Sequence, residues 1–213
     1  MIEHSDALFL NSETLFFSRN QIIEKIHQKP KGVYLIKSGS VKQLIIVGDK
    51  IHLRGVLPPK TIFGHPSIAN QTNSFTYKCF TDVEIKLLLS SNLTSLAEQQ
   101  RLMLFNDGLY KENKLLIQKI MVLQNFSIDQ RIIFFLSELH EMTEGRPVKV
   151  TRREVAEYAG CSVEYAFRTI SKLKKNGILY MKDNLLKVHV EKAMTSFNQK
   201  DLKLIKQLTS IPA

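Results

Sequence analysis

VKVTRREVAEYAGCSVEYAFRTISKLKKNGIL, residues Val148 to Leu179, holds two helix starts and two glycine stops in close succession. Thr151-Arg152-Arg153-Glu154 has the form of a capping box, in which the threonine hydroxyl takes an orphan amide and the glutamate three residues on reaches back. A helix is therefore expected from Thr151, with Val155, Ala156 and Ala159 on its apolar stripe and Arg152, Arg153 and Glu157 on the wet side. Gly160 ends it, because glycine accepts the left-handed conformation common at helix ends. Ser162 is the natural N-cap of a second helix, with Glu164 in its first turn, where the helix dipole favours an anion. Ala166, Ile170 and Leu173 share one face of that helix, and Ser162, Val163, Tyr165, Arg168, Thr169 and Lys172 spread over the opposite arc. Asn176-Gly177 stops it, and the runs Ile178 to Met181 and Leu185 to Val190, around Lys182-Asp183-Asn184, read as a short hairpin.

Helix, turn, helix and hairpin in that order make a winged helix-turn-helix, the arrangement that sets a second helix in the major groove of DNA. Thr151-Arg152, Glu154-Val155-Ala156, Gly160, Ser162, Glu164, Arg168, Ile170 and Leu173, followed by Gly177-Ile178, resemble this module in the Crp/Fnr family of bacterial transcription regulators. The resemblance implies that Glu164 and Arg168 reach base edges. Many members place an arginine directly before that glutamate. This chain has Val163 there, which removes a guanine contact and implies a different target sequence. On this reading Ser162, Val163, Glu164, Tyr165, Arg168 and Thr169 face bases, whereas Thr151, Arg152, Arg153, Lys172 and Lys182 hold phosphates of double-stranded DNA.

The charge balance agrees. The 213 residues carry a formal net charge of +10, which fits a polyanionic partner, and 44% are hydrophobic, enough for one large or two small cores. Basic residues crowd the last third of the chain. The sequence shows no signal peptide and no apolar run of the roughly 20 residues that a membrane span needs, so a cytoplasmic protein without a membrane partner is expected. Cys79 and Cys161 are too few and too far apart for a disulfide framework or a Cys-rich metal site, and relatives that sense oxygen through an iron-sulfur cluster carry N-terminal cysteines absent here. No cofactor is expected. An enzyme would have to be built from His52, His65 and His140 with Cys79 or Cys161, yet no Ser-His-Asp order, phosphate loop, paired carboxylates or His-x-x-x-His spacing joins them.

Ser127-Ile128-Asp129-Gln130 is a further capping box, opening a buried helix with Ile132, Ile133, Phe135, Leu136 and Leu139 at helical spacing. Before it, a long helical pattern runs from about Leu93 to Phe126. Leu102, Leu109, Leu116 and Leu123 fall seven apart, with Phe105 and Phe126 at the intermediate positions of the first and last heptads, which outlines a coiled-coil seam despite Glu112 and Lys119 at the other two. Met103, Tyr110, Ile117 and Ile120 form a second stripe, expected to pack on the chain's own N-terminal domain while the leucines, with Phe105, meet a second copy. Family dimers are built on such a helix, which would pair two reading heads with two half-sites. The segment from Glu191 to Leu208 reads as one or two amphipathic helices packed on the winged module.

The N-terminal residues change texture. Val33 to Lys42 reads as strand, Ser38-Gly39 turn, strand, and Leu44 to Val47, Ile51 to Val56, Phe75 to Phe80 and Val83 to Leu88 add short β runs, as in a β-barrel or β-roll. Tyr34-Leu35-Ile36, Ser38-Gly39-Ser40-Val41 and Ile62-Phe63-Gly64 resemble the cyclic-nucleotide-binding-like β-roll of the same family. The fold class expected is α+β: a jelly-roll-like β-roll sensor domain over 1–92, a dimerisation helix over 93–126, a winged helix-turn-helix over 127–190 and a helical extension over 191–213. Resemblance of fold need not carry the ligand. Where nucleotide-binding members place Gly-Glu and then an arginine, this chain has Gly64-His65 and Asn73-Ser74, with no Arg or Lys between Lys60 and Lys78. A buried phosphate would go unpaired, so this degenerate pocket is expected not to take cyclic AMP. His65 is the one conceivable metal or haem ligand there, and a lone loop histidine is more often simply hydrogen-bonded. Leu89 to Thr94, Asn125 to Ile128 and Ile170 to Lys174 look more like a Gram-positive branch that includes the listerial positive regulatory factor A, which also lacks the nucleotide residues. Control by another small molecule, by a thiol peptide or by abundance alone stays open, and RNA polymerase is a further candidate partner. The rival reading is a sensing module whose helix-turn-helix contacts protein instead of DNA.

Overall fold

Strand β3 (Gly32–Ser38) is the centre of the N-terminal half in this computed structural model, and its apolar run explains why. Val33 and Leu35 point to one side, Tyr34 and Ile36 to the other, and all four are buried, as in a strand covered on both faces. The structure describes residues 7–64, 71–182 and 185–210, with the backbone alone at 181, 182, 209 and 210.

β3 pairs with β6 (Ile62–Phe63) and with β8 (Val83–Leu89), which also pairs with β1 (Glu13–Phe17), giving an antiparallel sheet of order β1-β8-β3-β6. A second antiparallel sheet has the order β2-β7-β4-β5, from β2 (Ile22–Glu24), β4 (Val41–Val47), β5 (Lys50–Leu57) and β7 (Thr76–Cys79). Tyr34, Ile36, Phe63 and Ile85 of the first sheet and Val41, Leu57, Tyr77 and Cys79 of the second fill a common core. The other face of the first sheet is covered by Phe9, by Leu93 of the short helix α1 (Ser90–Leu93) and by Leu104. The β-roll is as expected, with β1, β2 and β6 added to the strands read from the sequence.

Helix α2 (Glu98–Asn125) starts later than the expected Leu93, because Thr94 to Ala97 intervene as a turn after α1. Its inward face is Leu104, Gly108, Lys111, Gln118 and Val122, with Leu115 half-buried. The second stripe proves to be misread: Tyr110, Ile117 and Ile120 are exposed and only Met103 is half-buried. Two polar residues hold the inward positions instead. The Lys111 ammonium donates to the Lys60 carbonyl at 2.8 Å and pairs with Asp107 at 3.1 Å, while the Gln118 amide donates to Glu138 at 2.6 Å. The division into two compact units falls at Leu115/Leu116, inside α2, so this helix belongs to both.

The second unit contains α3 (Ile128–Met142), β9 (Val148–Lys149), α4 (Arg152–Ala159), α5 (Val163–Lys175), β10 (Leu179–Lys182), β11 (Leu185–Val188), α6 (Val190–Met194) and α7 (Gln199–Ser210). α3 is capped by Ser127 and Gln130 as expected and buries Ile132 to Leu136 and Leu139 against α4 and α5. Phe135 stacks on Tyr158 of α4 at 4.0 Å between ring centroids. The wing has three strands, because β9 pairs with β11 beside the β10–β11 hairpin. The hairpin turn at Asp183-Asn184 lies outside the described residues. The C-terminal helices pack on the start of α3: the Gln130 amide donates to Asp201 at 2.8 Å and Phe197 meets Phe126 edge-on at 5.3 Å. No helix among the described residues is long and apolar enough to cross a membrane.

Candidate nucleic-acid interface

The two helices of the reading head are fixed at their ends by the residues that announced them. The Thr151 hydroxyl accepts from the Glu154 amide at 3.2 Å, and the Glu154 carboxylate accepts from the Thr151 amide at 2.8 Å. Gly160 ends α4 with φ at +69°, and the Ser162 hydroxyl accepts from the Tyr165 amide at 3.1 Å to start α5. The left-handed turn at Gly160 is what a side chain would strain. Arg131 of α3 was not foreseen. Its guanidinium donates to the carbonyls of Leu123 at 2.6 Å, Phe126 at 2.9 Å and Ala159 at 3.3 Å, tying the last turns of α2 and α4 to α3 with one cation. A long polar side chain at an exposed-looking position carried no sequence signal for this.

Ser162, Val163, Glu164, Tyr165 and Arg168 are all exposed on α5, and Arg168 makes no hydrogen bond or ion pair among the described residues. Thr169 is a correction. Expected to face bases, it is 5% exposed, and its hydroxyl donates to Asp129 of α3 at 2.7 Å. It completes the buried stripe Ala166, Thr169, Ile170, Leu173, whose spacing already included it. The cations assigned to phosphates are exposed but engaged: Arg152 lies 4.1 Å over the Phe167 ring, Arg153 pairs with Glu157 at 2.9 Å and Lys172 with Asp129 at 3.4 Å. Thr151 is exposed as the cap of α4. The backbone of Lys182 pairs with Leu185 in the wing, and its side chain lies outside the described residues. Cys161, in the turn, is half-buried, and burial pushes its thiol up, away from the reactive thiolate.

Along α2 the leucine seam is uneven. Leu102 is 54% and Leu116 41% exposed, while Phe105, Leu109 and Leu123 are half-buried. Together with Tyr110, Ile117 and Ile120 they leave a broad apolar surface on this helix.

In the β-roll, Gly64 has φ at +82°, and a Cβ there would lie 2.6 Å from the Gly32 carbonyl and 2.9 Å from the Tyr34 ring. His65 lies outside the described residues. Asn73 is buried with its amide donating to Glu24 at 3.4 Å, whereas Ser74 is exposed. Glu24, a buried carboxylate unnoticed in the sequence, also accepts from the Tyr34 hydroxyl and from the Lys31 amide at 2.9 Å. Burial pushes the Tyr34 phenol far up, and the hydrogen bond to Glu24 adds to it. The roll does hold a cation, brought from a distant strand: Arg54 of β5 pairs with Glu112 of α2 at 2.6 Å and lies 4.7 Å over the Phe75 ring.

A β-roll, a long helix and a winged helix-turn-helix with an exposed, partly basic second helix succeed one another along the chain. Residues 148–179 match the family model described as bacterial regulatory proteins, crp family. The chain is 25% identical over 194 residues to the fumarate and nitrate reduction regulatory protein of Salmonella typhimurium, spanning 84% of this chain and 75% of that protein. Solved structures of similar fold include a CRP-family transcriptional regulator from Thermus thermophilus, with a TM-score of 0.74 at 15% identity over 85% of this chain and 95% of that one. Another is the c-di-GMP-responsive global regulator CLP of Xanthomonas campestris, with a TM-score of 0.69 at 19% identity over 87% and 98%. Residues 148–179 thus match the helix-turn-helix of the Crp family, and over most of its length the chain is similar to transcription regulators of the Crp/Fnr family.

Proposed function

We propose that this regulator works as a homodimer on a roughly palindromic operator, with α5 of each copy in the major groove, and that cyclic AMP is not its signal. The observation that carries the reading is the division of α5. Ala166, Thr169, Ile170 and Leu173 are buried, and Val163, Glu164, Tyr165 and Arg168 stand in solvent on a helix of major-groove width. Arg168, uncommitted among the described residues, suits a bidentate contact to a guanine, and Glu164 suits acceptance from a cytosine amine. Thr151, Arg152, Arg153, Lys172 and Lys182 supply phosphate contacts, which add affinity without sequence information. The apolar surface of α2 around Leu102, Leu109 and Leu116 supports pairing with a second copy. Against cyclic AMP stands the charge around the degenerate pocket. Gly64 and Asn73 converge on Tyr34 and the Glu24 carboxylate, which would repel a phosphate, and Arg54 is already paired with Glu112.

Selection of genomic fragments by the purified protein, with gel shifts at two salt concentrations, tests the reading. A salt-sensitive shift on a two-fold symmetric site is expected, and its location relative to a promoter tells whether RNA polymerase would be recruited or blocked. Arg168→Ala should relax one base position and weaken operator binding by about 1 to 3 kcal/mol, whereas Arg152→Ala should weaken all sequences about equally and flatten the salt slope. Equal losses on operator and random DNA for both variants would sink these assignments. The Leu109→Asp, Leu116→Asp double variant should sediment as a monomer; a dimer would remove α2 as the seam. Titration with cyclic AMP should produce neither heat nor a shift in thermal midpoint. If no fragment shifts with salt, the head contacts protein instead.

A further inference from the structure

Tyr165, Thr169 and Lys172 succeed one another at steps of four and three on α5, so they form one stripe, and that stripe meets Asp129 in the first turn of α3. The Thr169 hydroxyl donates to one carboxylate oxygen at 2.7 Å, and the Lys172 ammonium lies 3.4 Å from the other. The Tyr165 phenol is raised chiefly by the nearby Asp129 charge. Asp129 therefore touches two side chains of the reading helix, one of them, Lys172, exposed where DNA is to dock. A carboxylate there works against binding. Affinity for arbitrary DNA comes almost wholly from cations that neutralise phosphates and release counterions, and Lys172 cannot serve Asp129 and a phosphate at full strength. The position also keeps the charge in place, since the N-terminus of α3 favours an anion.

We infer that Asp129 sets the specificity of the head: by holding Lys172 it keeps affinity for arbitrary DNA low, so that base contacts decide where the regulator binds. The inference rests on the DNA-facing placement of α5 and on the phosphate role given to Lys172. Asp129 is a positioning residue that acts through Lys172, and this separates it from a merely structural link between α3 and α5.

Asp129→Asn keeps an oxygen to accept from Thr169 and removes the charge. In the full-length protein it should bind a random-sequence duplex about threefold to tenfold more tightly and steepen the salt slope by up to about 0.9, the share of one further phosphate. The selected operator should gain less, so the operator-to-random ratio falls. In a Lys172→Ala background the same change should leave the slope where it was. If Lys172→Ala flattens the slope but Asp129→Asn alters neither affinity nor slope, the inference is overturned while the phosphate role of Lys172 survives. If Lys172→Ala leaves the slope unchanged, both fall. Should Asp129→Asn lower the thermal midpoint, Asp129→Ser, which also keeps an oxygen and loses the charge, gives the same readout.

Discussion

In the β-roll, Arg54 meets Glu112 at 2.6 Å and Glu24 is buried among Tyr34, Asn73 and the Lys31 amide, whereas in the winged unit Arg152, Arg168 and Lys172 stand exposed. Both units use the same charged residue types. The difference lies in what completes them. Inside the roll the chain supplies its own counter-groups, so an incoming ligand must compete with an intramolecular partner whose effective concentration is high. On the reading head the cations are held only by surface contacts, such as Arg153 with Glu157 and Lys172 with Asp129, of the kind that contribute about 0 to 1 kcal/mol and yield readily to a polyanion. The roll closes on its own counter-groups, and the head leaves its cations open to a polyanion.

Glu138 is the exception that can break the contrast, because it is an inward carboxylate in the winged unit. It accepts from the Tyr158 hydroxyl at 2.7 Å and from the Gln118 amide at 2.6 Å, so one residue of α3 joins α2 and α4. Burial pushes its carboxyl up to about 7 from an ordinary 4.5, against the hydrogen bond from Tyr158. The folded state thus keeps a proton that the unfolded chain releases between those values. Stability is fully present below about 4.5, falls as pH rises towards 7, and is then flat, a total loss of roughly 3 kcal/mol. Glu138→Gln should flatten this slope and be up to roughly 3 kcal/mol more stable at pH 8, as Gln118 can turn its amide to suit. Urea unfolding at pH 5 and pH 8 checks it. An unchanged difference between the two pH values in the variant would assign the slope to another group.

A smaller effect sharpens the contrast from the other side. Glu112→Ala leaves Arg54 without its carboxylate, and about 2 kcal/mol of the roll's stability should go, less than for a fully buried pair because both side chains keep some contact with water. Glu144→Ala removes the partner of Arg146 from a pair that is exposed on both sides, and should cost at most about 0.5 kcal/mol. Denaturant midpoints of the two variants, followed by probes in each unit, give the comparison. Equal costs would mean that the roll is no more closed to water than the surface.

The same contrast decided what the sequence made visible. The helix-turn-helix is spelled out by local chemistry: Thr151 with Glu154, Gly160 and Ser162 act within four residues of themselves, and the structure has each in its expected role. β3 was readable because its apolar run has no helical alternative of that length. The inward face of α2 was hidden by Lys111 and Gln118, polar residues that are satisfied only by Lys60 and Glu138, far away in sequence. Arg54 with Glu112 and Glu24 with Tyr34 and Asn73 were equally invisible, since pairing over such separations leaves no period or motif. β9 is too short to stand out, and it becomes a strand only because β11 offers it an edge.

Thr169 is the case where residue type was weighed against position and position won. The spacing from Ala166 to Ile170 and Leu173 placed it in the buried stripe, and its hydroxyl suggested the opposite face. Thr169→Val keeps the shape and removes only the donor, so the measured change isolates the bond to Asp129. That bond spans 2.7 Å to a carboxylate that water also reaches, and water can replace the lost donor. The cost should therefore stay at about 1.5 kcal/mol of stability, the low end for a hydrogen bond to a charged group. Operator preference should not shift, because a buried methyl cannot touch a base. A change in preference at any operator position would return Thr169 to the reading surface and imply that α5 turns when DNA binds.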